Sequence, residues 1–312
     1  MNKIKLIAVL VFAAIICTSC DKDKEEPIFV GIEGISLGNY PRVDGSTSTD
    51  PLNYIIAAKM LGLRYTWTGG YVHLTEYPHE LGEKLKSSQT HGAIINLIDN
   101  QTDLIIVART MSASEKQHAD SAGVSLIETP IALDALDFII NSQNRVSSLS
   151  VEQIQNIYLG NITNWNSVGG ANEAIIPFIR NENSGSQEMM NEIVMSNTST
   201  PDWEVSYADE LMLWTMGIVY IEIKANKNGI CFTPHYYKEY LAPGKENVKT
   251  LAVNGISPNK KSIKNKTYPF VANVYVSIRS DTDTNSITYK LYEWLQSESG
   301  KNVIAESGYV PN

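Results

Sequence analysis

The sequence predicts an α/β fold with mainly parallel sheets, arranged as two lobes. Apolar runs of β type alternate along the chain with segments of helical periodicity, a pattern typical of strands joined by helices. Several of the runs are apolar throughout, as expected for strands that are covered on both faces. The chain has 312 residues. The roughly 290 residues that follow the leader suit two such lobes.

Apolar runs mark the predicted strands, which cover 102–108, 136–141, 174–179, 228–233 and 268–278. The first predicted helix begins where Asp50 precedes Pro51, because an N-cap followed by proline at the first helical position is a common start signal. It ends at Gly62, a residue type that commonly terminates helices.

Capping signals also mark the later helices. Ser150 and Gln153 have the spacing of a capping box, and Ser184 and Gln187 repeat that spacing. The last predicted helix covers 284–296. The helices therefore separate the strands in the order that an α/β fold requires.

The first 20 residues predict a lipoprotein signal peptide. Lys3 and Lys5 precede an apolar run over 6–16, and small residues then lead to Cys20. The run is too short to span a bilayer comfortably. We expect Cys20 to be lipidated and residues 21–37 to form a tether. The alternative is ordinary secretory cleavage nearby, with Cys20 incidental.

Composition excludes some classes of function. The formal net charge is −9, and no basic footprint for a nucleic acid is present, so no nucleic-acid partner is expected. No metal-ligand spacing, paired carboxylates or nucleophile–base pattern is recognisable, so we expect neither metal, cofactor, catalytic residue nor enzymatic activity. Cys231 is the only cysteine after the leader, which rules out an internal disulfide.

The stretch "FIRNENSGSQEMM" places Arg180 at the end of a predicted strand and Ser184-Gly185-Ser186 at the start of a helix. The first amides of a helix have no intrahelical partner, and the helix dipole adds positive charge there. Arginine supplies a fixed fork of donors for an oxyanion. The stretch therefore suggests an anion site. Alternatively, Ser184 is only an N-cap and Arg180 forms a surface ion pair.

A second stretch, "VDGSTSTDPLNYII", places Ser46, Thr47 and Ser48 directly before the first predicted helix. On its own this is equally a polar turn with an N-cap. Together, the two hydroxyl-rich helix entrances predict two lobes that present their helix starts to one shared oxyanion.

These segments resemble a known family. "VDGSTS", "GNITNWNSVGG" and "IRNENSGSQE", followed by "VKTLAVNGISPNKKSIKNKTYPF" and "SGKNVIAESGYVPN", are similar to the phosphate-binding proteins of bacterial phosphate ABC transporters. The resemblance runs from about residue 40 to the end. It implies a type II periplasmic-binding-protein fold with two crossovers between the lobes, near "ALDALDF" and "YPFVANVY". Lobe 1 would cover 38–135 and 268–312, and lobe 2 would cover 136–267.

The resemblance also implies which residues bind the anion: Ser46, Thr47 and Ser48 from one lobe, and Arg180, Ser184, Gly185 and Ser186 from the other. The segment "SSQTHGA" adds Ser88 and Thr90 as weaker candidates, with His91 as a partner of that loop. Trp165 is expected to pack in the interior.

The sequence departs from the family at Val107-Ala108-Arg109, where members commonly carry Ser-Asp or Ser-Ser-Arg. A carboxylate that accepts the proton of monohydrogen phosphate favours phosphate over sulfate, and its loss leaves the choice of oxyanion open. Arg109 is a further weak candidate, which either adds charge to the site or faces solvent.

The function that the resemblance implies is capture of an inorganic oxyanion, with phosphate favoured, for an ABC transporter permease. The protein would be a monomer in the bacterial cell envelope, held to a membrane by its lipid anchor on the periplasmic side or the cell surface. One alternative is an anion sensor or surface capture lipoprotein that works without a transporter. A phosphatase built on the same fold is the other.

Overall fold

The computed structural model describes residues 30–68, 71–181, 184–196, 212–213 and 215–312. The predicted signal peptide, Cys20 and residues 21–29 of the predicted tether lie outside these ranges. Within them, no helix combines the length and the apolar composition needed to cross a bilayer.

Strands from both halves of the chain form the sheets. Those of lobe 1 are β1 (Val43–Gly45), β2 (Tyr65–Thr68), β3 (Tyr71–Leu74), β4 (Leu104–Val107), β5 (Leu126–Asn141), β13 (Val271–Arg279) and β14 (Val310–Pro311). Those of lobe 2 are β6 (Ser148–Leu149), β7 (Ile176–Pro177), β8 (Ile179–Arg180), β9 (Met212–Leu213), β10 (Gly229–Pro234), β11 (Val248–Thr250) and β12 (Ala252–Val253).

Helices surround the strands in each lobe. Lobe 1 carries α1 (Asp50–Leu61), α2 (His79–Lys84), α3 (Gln89–Ile98), α4 (Ala113–Ala122), α9 (Ile287–Trp294) and α10 (Glu298–Glu306). Lobe 2 carries α5 (Val151–Tyr158), α6 (Gly185–Met189), α7 (Ile218–Ala225) and α8 (Lys260–Lys264). Short 3-10 helices cover Thr47–Thr49, Trp165–Val168 and Lys245–Asn247, and π-helical turns cover Met190–Val194 and Tyr237–Leu241.

The long strand β5 joins the two lobes. Its residues up to Ala135 pair antiparallel with β13, and from Leu136 onward they pair antiparallel with β10. The main sheet consequently runs in the order β1-β4-β13-β5-β10-β7, with β11 and β14 also paired to β5. The exchange of partners after Ala135 is the point at which we place the boundary between the lobes.

The prediction of a two-lobed α/β fold with two crossovers is confirmed. Parallel pairs lie within the lobes, between β1 and β4, β7 and β10, β8 and β9, and β6 and β12. The crossover strands β5 and β13 add long antiparallel pairings that the expectation of mainly parallel sheets did not include. The pairing of β5 with β13 lies within lobe 1, and β5 then continues into lobe 2, where it pairs with β10.

The predicted helix signals hold with three corrections, of which the one at Ser184 is described with the site. The Ser150 hydroxyl accepts from the Gln153 amide at 3.0 Å, and the Gln153 side chain accepts from the Ser150 amide at 2.8 Å, so this capping box is confirmed. Asp50 is the first residue of α1 and not its N-cap, because a 3-10 turn precedes it. The predicted last helix corresponds to α9, and α10 follows it.

Each lobe has its own apolar core. In lobe 2 the rings of Phe138, Tyr158 and Phe232 pack against one another, and the ring of Phe270, from the segment that returns to lobe 1, packs on Phe138. Trp165 is 1% exposed within this core and its indole N–H donates to the Asn228 carbonyl at 2.9 Å. The packing role expected for Trp165 is therefore observed.

In lobe 1, Leu52, Leu104, Val276 and Leu295 are fully buried in a second core. The described part of the predicted tether packs on this core through Ile32, Ile35 and Leu37.

Cys231 is fully buried, and burial raises the pKa of its thiol to about 12. Such a thiol stays protonated and behaves as a small apolar side chain.

Candidate functional site

A small cavity lies between the lobes, and every residue predicted as a principal anion contact lines it: Ser46, Thr47 and Ser48 from lobe 1, with Arg180, Ser184, Gly185 and Ser186 from lobe 2. Thr90, one of the weaker candidates, also lines it. The cavity measures about 40 Å³. A single water needs roughly 10–15 Å³ by the same kind of measure, so the space suits a group of a few heavy atoms.

The lobe 1 wall is formed where β1 runs into the 3-10 turn before α1. The Ser46 hydroxyl accepts from the Ala108 amide at 3.1 Å and lies 2.8 Å from the Thr90 hydroxyl. Gly45 is needed because a Cβ there would lie 2.6 Å from the Ile106 carbonyl oxygen. The loop is therefore held tightly against β4, with the first turn of the helix facing the cavity.

Asp44 organises the adjoining loop at the start of α3. One of its carboxylate oxygens accepts from the Gly45 and Ser88 amides, each at 2.8 Å, and the other accepts from the Asn96 side chain at 2.8 Å. The Ser88 hydroxyl also accepts from Asn96. Ser88 thus helps to hold the loop and does not line the cavity, whereas Thr90 does.

The lobe 2 wall begins at Arg180, the last residue of β8. Its backbone amide donates to the Gln187 side-chain oxygen at 2.8 Å, which ties the strand to α6. The predicted capping box of Ser184 and Gln187 is therefore wrong, because Gln187 contacts the strand and the Ser184 side chain makes no capping hydrogen bond. The Ser184 hydroxyl lies instead 2.9 Å from that of Ser186, at the cavity wall.

Arg180 places its guanidinium inside the protein. The residue is 3% exposed, so the alternative of a surface ion pair does not apply. Its Nη1 lies 3.0 Å from the Met216 sulfur, and burial lowers its pKa from the ordinary value. Arginine nevertheless remains charged in proteins, because its pKa starts above 12. The cavity therefore has a cationic wall.

The lobes come very close at Gly185. A Cβ at this position would lie 2.3 Å from the Thr90 hydroxyl oxygen and 3.1 Å from the Thr90 Cβ, across the cavity in lobe 1. Real Cβ atoms do not approach other atoms so closely, so glycine allows the two walls to meet. The glycine of the Ser-Gly-Ser stretch has a steric role between the lobes as well as at the helix start.

Arg109 neither adds charge to the cavity nor faces solvent, which were the two alternatives that the sequence left open. It is 3% exposed and donates two hydrogen bonds to the Glu115 carboxylate, at 2.6 and 2.9 Å. His91 lies 2.8 Å from the same carboxylate, so its partner belongs to α4 and not to its own loop. Burial raises the pKa of Glu115, but the Arg109 hydrogen bonds and charge outweigh burial and hold it below the ordinary value. Arg109 thus neutralises a buried carboxylate outside the cavity.

Three lining residues were missed by sequence analysis: Gln89, Met216 and Pro234. Gln89 lies inside the "SSQTHGA" segment and has a φ of +65°, which side-chain-bearing residues seldom adopt. Met216 precedes α7 in a stretch without any recognisable motif. Ala108, noted as a departure from the family, lines the cavity with a methyl group. Among the described lining residues there is no carboxylate.

The two lobes, the crossover strands and the cleft between them define a type II periplasmic binding protein. Comparison with known families agrees with this assignment: a family model described as the PBP superfamily domain matches residues 74–299. The chain therefore belongs to the PBP superfamily.

Curated relatives are distant. The "Phosphate-binding protein PstS" of Borreliella burgdorferi is 25% identical over 194 residues, which cover 59% of this chain and 65% of that protein. The protein of the same name from Bacillus subtilis is 24% identical over 204 residues, covering 64% of this chain and 61% of that protein. Both alignments span a little less than two thirds of the relative.

Solved structures show the same fold. A putative phosphate ABC transporter substrate-binding protein with bound phosphate, from Clostridium perfringens, is 21% identical with a TM-score of 0.62, covering 89% of this chain and 99% of that one. An ABC-type phosphate transport receptor from Vibrio cholerae is 21% identical with a TM-score of 0.60, covering 86% and 98%.

The close approach at Gly185 leads to a prediction. Gly185→Ala should force the lobes apart at Thr90, because the β-branched threonine has little freedom to move. Overpacking of this kind costs roughly 1–3 kcal/mol. Titration calorimetry with inorganic phosphate should therefore show affinity weakened about 5-fold to 150-fold.

Gly217→Ala is the matched control, since a Cβ there meets no atom within 4 Å. It should bind phosphate as the unmodified protein does. Unchanged affinity in Gly185→Ala would show that the observed approach of the lobes is not required for binding.

Proposed function

We propose that this chain is a solute-binding protein that holds an inorganic oxyanion, phosphate in the first instance, between its lobes for an ABC transporter permease. The observation that carries the proposal is the convergence of two distant hydroxyl-rich helix starts and one buried arginine on a single small cavity. The names of the distant relatives, which are phosphate-binding proteins, support the choice of phosphate.

In this proposal Arg180 supplies the compensating charge. Its planar fork of donors suits two oxygens of one tetrahedral anion. Ser184 and Ser186 add hydroxyls from the same lobe, and Gly185 leaves the helix-start amides accessible. Ser46, Thr47 and Ser48 complete the shell from lobe 1. Because these groups are donors from both lobes, an anion between them is favoured over water alone.

We propose that the site selects phosphate over sulfate less strongly than a site that contains a carboxylate. Ala108 offers no acceptor for the proton of monohydrogen phosphate, so among the described lining side chains only neutral oxygens, those of the serine and threonine hydroxyls and of the Gln89 amide, are able to accept it. Sulfate has no such proton, and no carboxylate among the described lining residues would repel it. We therefore expect phosphate to bind with only modest preference over sulfate.

We propose binding without catalysis. Among the described residues, no group of His, Cys, Asp and Glu is arranged to hold a metal ion. The cavity hydroxyls have other serine and threonine hydroxyls as side-chain neighbours, at 2.8 and 2.9 Å, and a general base is not among these neighbours.

We further propose that the protein is attached to a membrane of the bacterial cell envelope through lipidated Cys20. The support is the sequence alone: a basic start, a short apolar run and small residues before the cysteine. A lipid anchor with a short acidic tether would keep the binding lobes near a permease.

The first prediction from this proposal concerns the buried guanidinium. Arg180→Ala should weaken phosphate binding at least about tenfold to a hundredfold, because charged hydrogen bonds are worth roughly 1.5–3 kcal/mol each. Arg180→Lys should restore only part of the affinity, since an ammonium does not reproduce the bidentate fork. Titration calorimetry measures both.

Arg64→Ala, which removes a largely exposed arginine of lobe 1, is the control and should bind phosphate normally. Ser184→Ala is a second informative variant, because the Ser184 side chain makes no capping hydrogen bond and its removal should cost little stability. If Arg180→Ala binds phosphate as tightly as the unmodified protein, the anion site lies elsewhere.

The second prediction concerns the anchor. Cys20→Ala should release the protein from the membrane fraction or block its processing, because the acylated residue is lost. Fractionation and mass spectrometry of the N-terminus provide the measurement. Acylation that persists in the Cys20→Ala protein would contradict the proposal.

A further inference from the structure

A larger cavity lies beside the oxyanion pocket and has Thr47 in common with it. This cavity, which we call the chamber, measures about 300 Å³. Its walls include Asp50, Tyr54, Tyr71, His73, Ser87 and Tyr237. The oxyanion pocket, at about 40 Å³, has room for an inorganic anion but not for a substituent on that anion. The chamber supplies that room.

Tyr237 lines the chamber. Its phenol is near enough to the Arg180 guanidinium and to Tyr71 for both to affect its pKa, which burial raises above the ordinary value. Tyr237 belongs to lobe 2, whereas Tyr54 and Tyr71 belong to lobe 1, so the chamber is also formed between the lobes. A group attached to an anion at Arg180 would therefore meet tyrosine rings from both sides of the cleft.

The walls of the chamber combine aromatic rings with polar side chains. Tyr71 is 66% exposed, an unusual position for an aromatic ring that contributes to neither core. Beside it, the half-buried Asp50 carboxylate, the His73 ring and the Ser87 hydroxyl supply acceptors and donors. Flat apolar faces next to a few hydrogen-bonding groups suit a hydroxylated ring, whose C–H edges pack on aromatic faces while its hydroxyls pair with polar groups.

The absence of an acceptor at Ala108 fits such a ligand better than it fits inorganic phosphate. Monohydrogen phosphate retains a proton near neutral pH and needs an acceptor for it. A phosphomonoester has a second pKa near 6, so at neutral pH its terminal oxygens carry mostly no proton. A pocket of donors without a carboxylate therefore matches a phosphomonoester dianion.

We propose that the preferred ligand is a phosphomonoester of a hydroxylated ring, a sugar phosphate, with its phosphoryl group at Arg180 and its ring in the chamber against Tyr71. This inference rests on the proposed oxyanion site and deepens it: inorganic phosphate would bind at Arg180, and a phosphate ester would bind there more tightly because its ring also contacts the chamber. The chamber would then act as the specificity pocket of the cleft.

The test uses the full mature chain with defined probes: glucose 6-phosphate, ribose 5-phosphate, inorganic phosphate and glucose. Titration calorimetry should show that at least one sugar phosphate binds about tenfold or more tightly than inorganic phosphate, with no detectable binding of glucose. Tyr71→Ala should remove about that advantage, since an aromatic contact contributes on the order of tenfold. It should leave the affinity for inorganic phosphate unchanged.

Tyr71→Phe is the matched control, because it keeps the ring and should retain the sugar phosphate advantage. The high exposure of Tyr71 makes a folding defect in either variant unexpected. If inorganic phosphate binds as tightly as both sugar phosphates, the inference is overturned while the proposed oxyanion site stands. If Tyr71→Ala weakens all phosphates equally, the chamber does not select the substituent. If neither inorganic phosphate nor either sugar phosphate binds, both this inference and the proposed function fail.

Discussion

The guanidinium of Arg180 is buried between the lobes, and the rest of the site follows from that position. A charge held away from water costs free energy unless polar or oppositely charged groups surround it. Here the neighbouring cavity walls carry hydroxyls and helix starts, which also favour negative charge. The Gln187 side chain fixes the strand end that bears the arginine. An anion in the cavity would contact the arginine and these walls together.

The two-lobed architecture brings the remaining groups to that charge. Strands β1 and β4 end at the lobe 1 wall and β8 ends at the lobe 2 wall, so loops after strand ends face each other across the cleft. The crossover strand β5 holds the lobes in register through continuous pairing with β13 and β10. Gly185 then lets the walls approach at Thr90. Tyrosine side chains from both lobes extend the same cleft outward into the chamber.

Much of this arrangement could be predicted from local sequence, because a strand, a Ser-Gly-Ser turn and a helix follow one another directly at Arg180. The errors arose where tertiary contacts decide which partner a side chain takes. Gln187 has capping-box spacing but pairs with the Arg180 backbone. Arg109 was left open because its pairing with Glu115 depends on how α4 packs. Met216 and the chamber rings come from distant parts of the chain, and no spacing rule connects them.

The central claim is that one oxyanion sits between the lobes against Arg180, and diffraction from crystals grown with arsenate tests it most directly. Arsenic gives an anomalous signal, so its position is found without assumptions about the density. The account predicts one strong peak in the cleft, with arsenate oxygens about 2.7–3.2 Å from the Arg180 guanidinium and from donors of both serine loops. A peak that contacts one lobe alone, or no peak in the cleft at saturating arsenate, would contradict it.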